Sequence, residues 1–142
     1  MSVEITDLTS GRQVDRGLIT AAAEATLGLA ARQLDELSLV LLEDEAMTKL
    51  NLRLLHRDEP TDVIAFEAEE DPDAVRAEIY VNLDAANRQA AEYGHTPAEE
   101  LAFLVAHGVL HALAYDDADD AGREAMFALQ EQVLAALREV GL

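Results

Sequence analysis

Cysteine is absent from this 142-residue chain, and so is tryptophan. The first absence excludes disulfide staples, a thiolate nucleophile and any Cys-ligated zinc or iron–sulfur site, so a bound metal needs histidine and carboxylate ligands. Lysine occurs once, at Lys49. Positive charge is scarce altogether: 10 Lys and Arg stand against 29 Asp and Glu, a formal net charge of -19. That balance excludes a generic basic nucleic-acid coat. It leaves room for a nucleic-acid enzyme, because a bound cation or a small basic groove can act locally against an acidic background. Proline and glycine number only 3 and 7, and no linker or repeat divides the chain, which reads as one domain over residues 1–142. Long apolar runs are missing as well. Met1 to Gly17 carries Glu4, Asp7, Arg12, Asp15 and Arg16, unlike the apolar core of a signal peptide. The longest uncharged stretch, Leu101 to Tyr115, is shorter than the ~20 residues that cross a bilayer. The expected location is the cytosol, with no membrane partner.

Hydropathy patterning outlines nine elements. Alternation over Val3–Leu8, a short apolar run at Leu37–Leu42, and the β-branched and aromatic residues of Thr61–Ala68 and Arg76–Leu83 predict four strands. Helical spacing predicts helices over Val14–Arg32, Glu43–Leu55, Asp84–Tyr93, Thr96–Ala114 and Asp119–Val140, with Glu67–Asp73 as an acidic turn. Thr96-Pro97-Ala98-Glu99 has the layout of a capping box with proline at the first helical position. The expected fold is α+β: a single mixed sheet of about four strands covered by about five helices.

Between Glu100 and Tyr115 the fourth helix is apolar on every side, which predicts burial all round. The only ionisable side chains within it are His107 and His111, four residues apart and on one face. Buried imidazoles need partners, since leaving them unpaired costs on the order of a few kcal/mol. A divalent ion suits this spacing; two core histidines bonded to carbonyls or carboxylates are the competing reading. Asp117, ten residues beyond His107, sits where a chain turning back after such a helix presents a third ligand. Gly108 stands where His-Glu-x-x-His peptidases carry their general base, which argues against a peptidase. The acids from Asp116 to Asp120 do not form a calcium loop, because Ala121 and Ala128 occupy positions that need oxygen ligands. Asp119 and Asp120 read instead as the N-cap and first turn of the last helix. His95 reads as a turn or capping residue, and His56 has no partner pattern.

The run His107-Gly108-Val109-Leu110-His111-Ala112-Leu113-Ala114-Tyr115-Asp116-Asp117 resembles the hallmark His-Gly-x-Leu-His-Leu-x-Gly-Tyr-Asp-His of the YbeY-type endoribonucleases. Upstream, Leu50-Asn51, Pro60-Thr61-Asp62-Val63-Ile64-Ala65-Phe66, Glu78-Ile79 and Glu92-Tyr93-Gly94-His95 are similar to further family segments in the same order. The resemblance runs from about Leu39 to the C-terminus. It implies a zinc-dependent, single-strand-specific endoribonuclease of ribosomal RNA maturation, with the small ribosomal subunit and its assembly factors as partners. One divalent ion, zinc first, would be held by His107, His111 and Asp117.

Three of the departures from the family pattern bear on the chemistry. Asp117 replaces the third histidine. A carboxylate is an acceptable zinc ligand that leaves a position open, but a two-His, one-carboxylate set also suits Fe(II) and other divalent ions. Ala114 replaces the turn glycine, at a steric cost if that residue takes positive φ. Leu55 stands where the family carries an arginine assigned to phosphate binding or catalysis, and Arg53 and Arg57 flank it as candidate substrate-binding residues. These departures sustain a second reading, a non-catalytic ribosome-assembly module that keeps the fold with a degenerate metal site. A metallohydrolase acting on something other than RNA is a third.

Overall fold

The computed structural model describes residues 1–70 and 73–142. Four strands, β1 (Ser2–Asp7), β2 (Glu36–Leu42), β3 (Val63–Glu70) and β4 (Val75–Asn82), form one sheet in the order β1-β2-β4-β3. The first three in that order are parallel neighbours, and β3 returns antiparallel to β4. Among the described residues, five helices complete the fold: α1 (Arg16–Leu29), α2 (Asp44–Leu55), α3 (Leu83–Tyr93), α4 (Pro97–Ala112) and α5 (Asp120–Glu139). The mixed sheet and α+β class are those the patterning implies. One boundary differs: β3 continues through Glu67 to Glu70, so most of the expected acidic turn is strand; Asp73 is in an exposed bend, and residues 71–72 lie outside the described residues. Pairing with β4 carries the strand through, with a register shift between Phe66 and Glu69.

Side chains alternate across the sheet, and the two faces have different fates. Leu37, Leu39 and Leu41 of β2 with Ala77, Ile79 and Val81 of β4 point into the main core with α1, α4 and α5. The alternate residues Val40, Leu42 and Ile64 meet Met47 of α2 in a smaller cluster on the opposite face. Helix α4 packs against α1, α3, α5, β3 and β4, so it is the central element of the molecule. Gly108 permits this closeness. A Cβ there would lie 3.1 Å from Val63 Cγ2 and 3.2 Å from Ile79 Cδ1, so the position after the first histidine has no room for a glutamate.

Ion pairs tie the loops around the sheet's end to these helices. Arg88 donates to Asp44 at 2.6 and 3.0 Å and holds its carboxyl below the usual carboxylate range, against the opposing effect of burial. Asp84 accepts from the Asp44 backbone N–H at 2.9 Å and from Arg12 at 2.6 Å. Asn82 donates to the Thr61 carbonyl at 3.1 Å, and its backbone N–H donates to the Asp62 carbonyl at 2.9 Å. The Pro60-Thr61-Asp62 segment is thereby fixed beside α3. Among the described residues, no helix is long and apolar enough to cross a membrane.

Candidate metal centre

Helix α4 begins as its sequence dictates. Thr96 accepts from the Glu99 N–H at 3.1 Å while the Glu99 carboxylate accepts from the Thr96 N–H at 2.9 Å. Burial all round, the expectation from its apolar composition, holds except along one stripe. Phe103, His107 and His111, spaced by four residues, are only half-buried; Phe103 and His107 line a cavity, and the histidine side chains, 24% and 28% exposed, are reachable from solvent.

The helix ends in a Schellman turn. Ala114 takes φ 70, its N–H donates to the His111 carbonyl at 2.9 Å, and the Tyr115 N–H donates to the Leu110 carbonyl at 3.0 Å. This reversal carries Asp117 back over the histidine pair. A left-handed alanine costs ~1–2 kcal/mol, part of which glycine would return as chain entropy. Ala114→Gly is therefore expected to raise stability by about 0.5–1 kcal/mol, seen in thermal unfolding as a rise of roughly 1–4 °C. An unchanged or lower midpoint would mean that the turn is not strained.

Three side-chain atoms converge beyond the turn. His107 Nε2 and His111 Nε2 are 3.0 Å apart, and Asp117 Oδ2 lies 3.6 Å from the first and 3.3 Å from the second. Ligands at ~2.0–2.1 Å around a tetrahedral zinc ion stand ~3.3 Å from one another, so this triangle has the dimensions of one face of such a site. The donor chemistry agrees. The Gln130 carbonyl Oε1 lies 3.2 Å from His107 Nδ1 and accepts its proton, leaving the Nε2 lone pair facing His111 and Asp117. Gln130 is 3% exposed, and its own amide donates to the Phe103 carbonyl at 3.2 Å, which fixes which end faces the histidine. These residues fit a divalent cation. Among the described residues, no other group of histidines and acids has the spacing to hold one. Gln130 escaped the sequence reading because it lies in the last helix, 23 residues from its partner.

The cavity beside this triangle measures about 520 Å³ and is lined by Asp62, His95, His107, Asp117, Arg123 and Phe127, among others. Neither arginine expected to meet substrate lines it. Arg53 lines a separate cavity of about 730 Å³ on the opposite face of the sheet, and Arg57 follows the left-handed C-cap His56 (φ 58) in an exposed segment. Arg123 is the arginine at the site. Its guanidinium donates to the carbonyls of Asp117 and Ala118 at 3.3 and 3.4 Å and pairs with Asp120. It had no motif to announce it, being one turn into a helix whose start is marked only by its cap, Asp119. His95 lies outside the triangle and bonds to Glu100 instead.

Known proteins share both sequence and architecture with this chain. A family model described as endoribonuclease YbeY matches residues 4–138. An endoribonuclease YbeY of Salinispora tropica is 38% identical, the match covering 97% of this chain and 97% of that protein. One from Moorella thermoacetica is 43% identical over 82% of this chain and 79% of its own length. A protein of Thermotoga maritima solved in solution, 23% identical, superposes with a TM-score of 0.64 over 98% of this chain and 93% of its own, and so shares the fold.

Proposed function

We infer function from one fact: this chain belongs to the endoribonuclease YbeY family. It is a metal-dependent endoribonuclease, a hydrolase that breaks RNA phosphodiester bonds in ribosomal RNA processing. We propose further that its ion is zinc, that His107, His111 and Asp117 hold it, and that its substrate is single-stranded ribosomal RNA met on the small ribosomal subunit among assembly factors. The observation that carries the site assignment is the triangle of 3.0, 3.3 and 3.6 Å between the three donor atoms, open to a cavity on one side. A non-catalytic assembly module is disfavoured by the same observation. Two of the departing positions, Ala114 and Asp117, still close the turn and lie where a donor set needs them.

The ion supplies Lewis-acid stabilisation of charge developing on the phosphate. The chain's residues do the rest. Gln130 holds His107 in one tautomer and one orientation. Arg123, on the rim of the cavity, is placed to exchange its carbonyl contacts for a phosphate oxygen and to neutralise the charge that builds up as the bond breaks. Asp62 is held by Gln89 at 3.2 Å and lines the same space without reaching the triangle. A surface of charge -19 repels RNA at long range, so binding relies on these local contacts and on presentation of the strand by the ribosomal particle.

The test is cleavage of a labelled RNA in single-stranded and duplex form, with and without chelator. Cutting of the single strand alone, lost on chelation and restored by zinc, is the expected result. Cutting that survives chelation, or none at all with zinc present, contradicts the proposal.

A further inference from the structure

The cavity extends along α4 away from the three donor atoms, and its far end is aromatic. The rings of Tyr93, His95, Phe103 and Phe127 form a continuous row, with successive centroids 6.4, 5.6 and 5.8 Å apart. In a chain with 3 Tyr, 3 Phe and no Trp, this concentration beside one site is conspicuous. Two of the rings face water: Tyr93 is 62% and Phe127 56% exposed. Exposed aromatic rims next to a reaction centre are contact surface for a ligand rather than core.

His95 is fixed within the row. Its Nδ1 lies 2.8 Å from Glu100 Oε2, and the Glu100 side chain is only 1% exposed. A carboxylate accepts, so Nδ1 donates, and Nε2 remains as the ring's acceptor with no protein partner among the described residues. From Glu100 to His107 is seven residues of helix, about 10 Å of rise. That distance is too great for His95 to meet the phosphate at the triangle. It suits the nucleotide next to it.

This step rests on the endoribonuclease reading of the same site. We propose that the Tyr93–His95–Phe103–Phe127 row is a stacking subsite for an unpaired nucleobase flanking the scissile phosphate, with His95 Nε2 accepting a hydrogen bond from the base edge. Charge argues for it. Among the described residues, Asp62, Glu100, Asp117 and Glu131 line the cavity against Arg123 as its one Lys or Arg side chain, so phosphate contacts alone cannot hold RNA there, and stacking is the strong uncharged alternative. A stacked base must be free of its complement, so the subsite gives the enzyme its preference for single strands.

The test uses the zinc-loaded protein and cleavage-resistant single-stranded oligonucleotides carrying 2-aminopurine at successive positions, read by fluorescence titration. Wild type is expected to quench the probe at one position. Tyr93→Ala and Phe127→Leu are each expected to weaken binding about tenfold and to lose the quenching. Phe127→Trp retains both, and all three keep the wild-type metal content and unfolding midpoint because the rings are exposed. Wild-type affinity and quenching in both Tyr93→Ala and Phe127→Leu overturn the subsite while leaving the cleavage activity standing. A zinc-loaded wild type that neither binds nor cuts RNA overturns the activity, and the subsite with it.

Discussion

His111→Ala is expected to strip the ion from the protein and to lower RNA cleavage by about 10³-fold while leaving the fold intact. The magnitude follows from the several kcal/mol of charge stabilisation that a metal ion contributes to a transition state. Removing one of three donors leaves His107 and Asp117, which do not enclose a cation. The fold survives because the His111 side chain is 28% exposed and stands on the open stripe of α4 rather than in the core. His107→Ala is the instructive comparison. It removes the same donor class but also leaves the buried Gln130 carbonyl without its partner, so it costs about 1–3 kcal/mol of stability as well. Inductively coupled plasma analysis, the cleavage assay and thermal melts of the two variants separate these effects. His111→Ala protein that still cuts single-stranded RNA at near wild-type rate in zinc would show that the histidine pair is not the reaction centre.

Gly122→Ala sets two effects of opposite sign against each other. Gly122 lies in the first turn of α5, where glycine weakens a helix by roughly 0.5–1 kcal/mol relative to alanine, so propensity alone favours the substitution. Packing opposes it. A Cβ at this position would lie 2.1 Å from the Asp116 carbonyl oxygen and 3.0 Å from Asp119 Oδ1, the atom that caps the helix. The first of these is backbone, which cannot swing aside as a side chain does. Relief requires moving the 116–119 segment that carries Asp117, and overpacking of this kind costs typically ~1–3 kcal/mol. The variant is therefore expected to unfold at lower temperature and to bind zinc about 10–100-fold more weakly, the size of loss seen when support behind a ligand is removed. Competition against a chromophoric chelator measures the second effect. Higher stability with unchanged zinc affinity would mean that helix propensity wins and that Asp117 is not held by this contact.

Much of this was legible in the chain because local signals and tertiary demands agree. The Thr96 capping box, the alternation of β2 and β4 and the four-residue spacing of His107 and His111 each depend on near neighbours in sequence, and each appears as its pattern implies. What the sequence concealed depends on long-range packing. Uniform apolarity along α4 predicts burial on all sides, yet the Phe103, His107 and His111 stripe is only half-buried, with Phe103 and His107 lining a cavity bordered by α5. Gln130 and Arg123 are ordinary helix-surface residues by composition, and only the placement of α5 against α4 brings one to His107 and the other to Asp117. The same applies to Arg53. Proximity in sequence to the family's arginine position suggests a substrate role, but α2 covers the far face of the sheet and carries Arg53 to the other cavity. Ala114 does take the positive φ, 70, on which the steric cost inferred from the family's glycine depends.

The proposed activity requires one divalent ion held by His107, His111 and Asp117, and the metal content of the protein tests this most directly. Protein purified without chelator or affinity tag, beside His111→Ala and Asp117→Ala, is analysed for all first-row divalent metals after loading with zinc. About one equivalent of zinc is expected in wild type and almost none in either variant, all three remaining folded. Folded wild type that takes up no metal, or variants that keep the full equivalent, would contradict it.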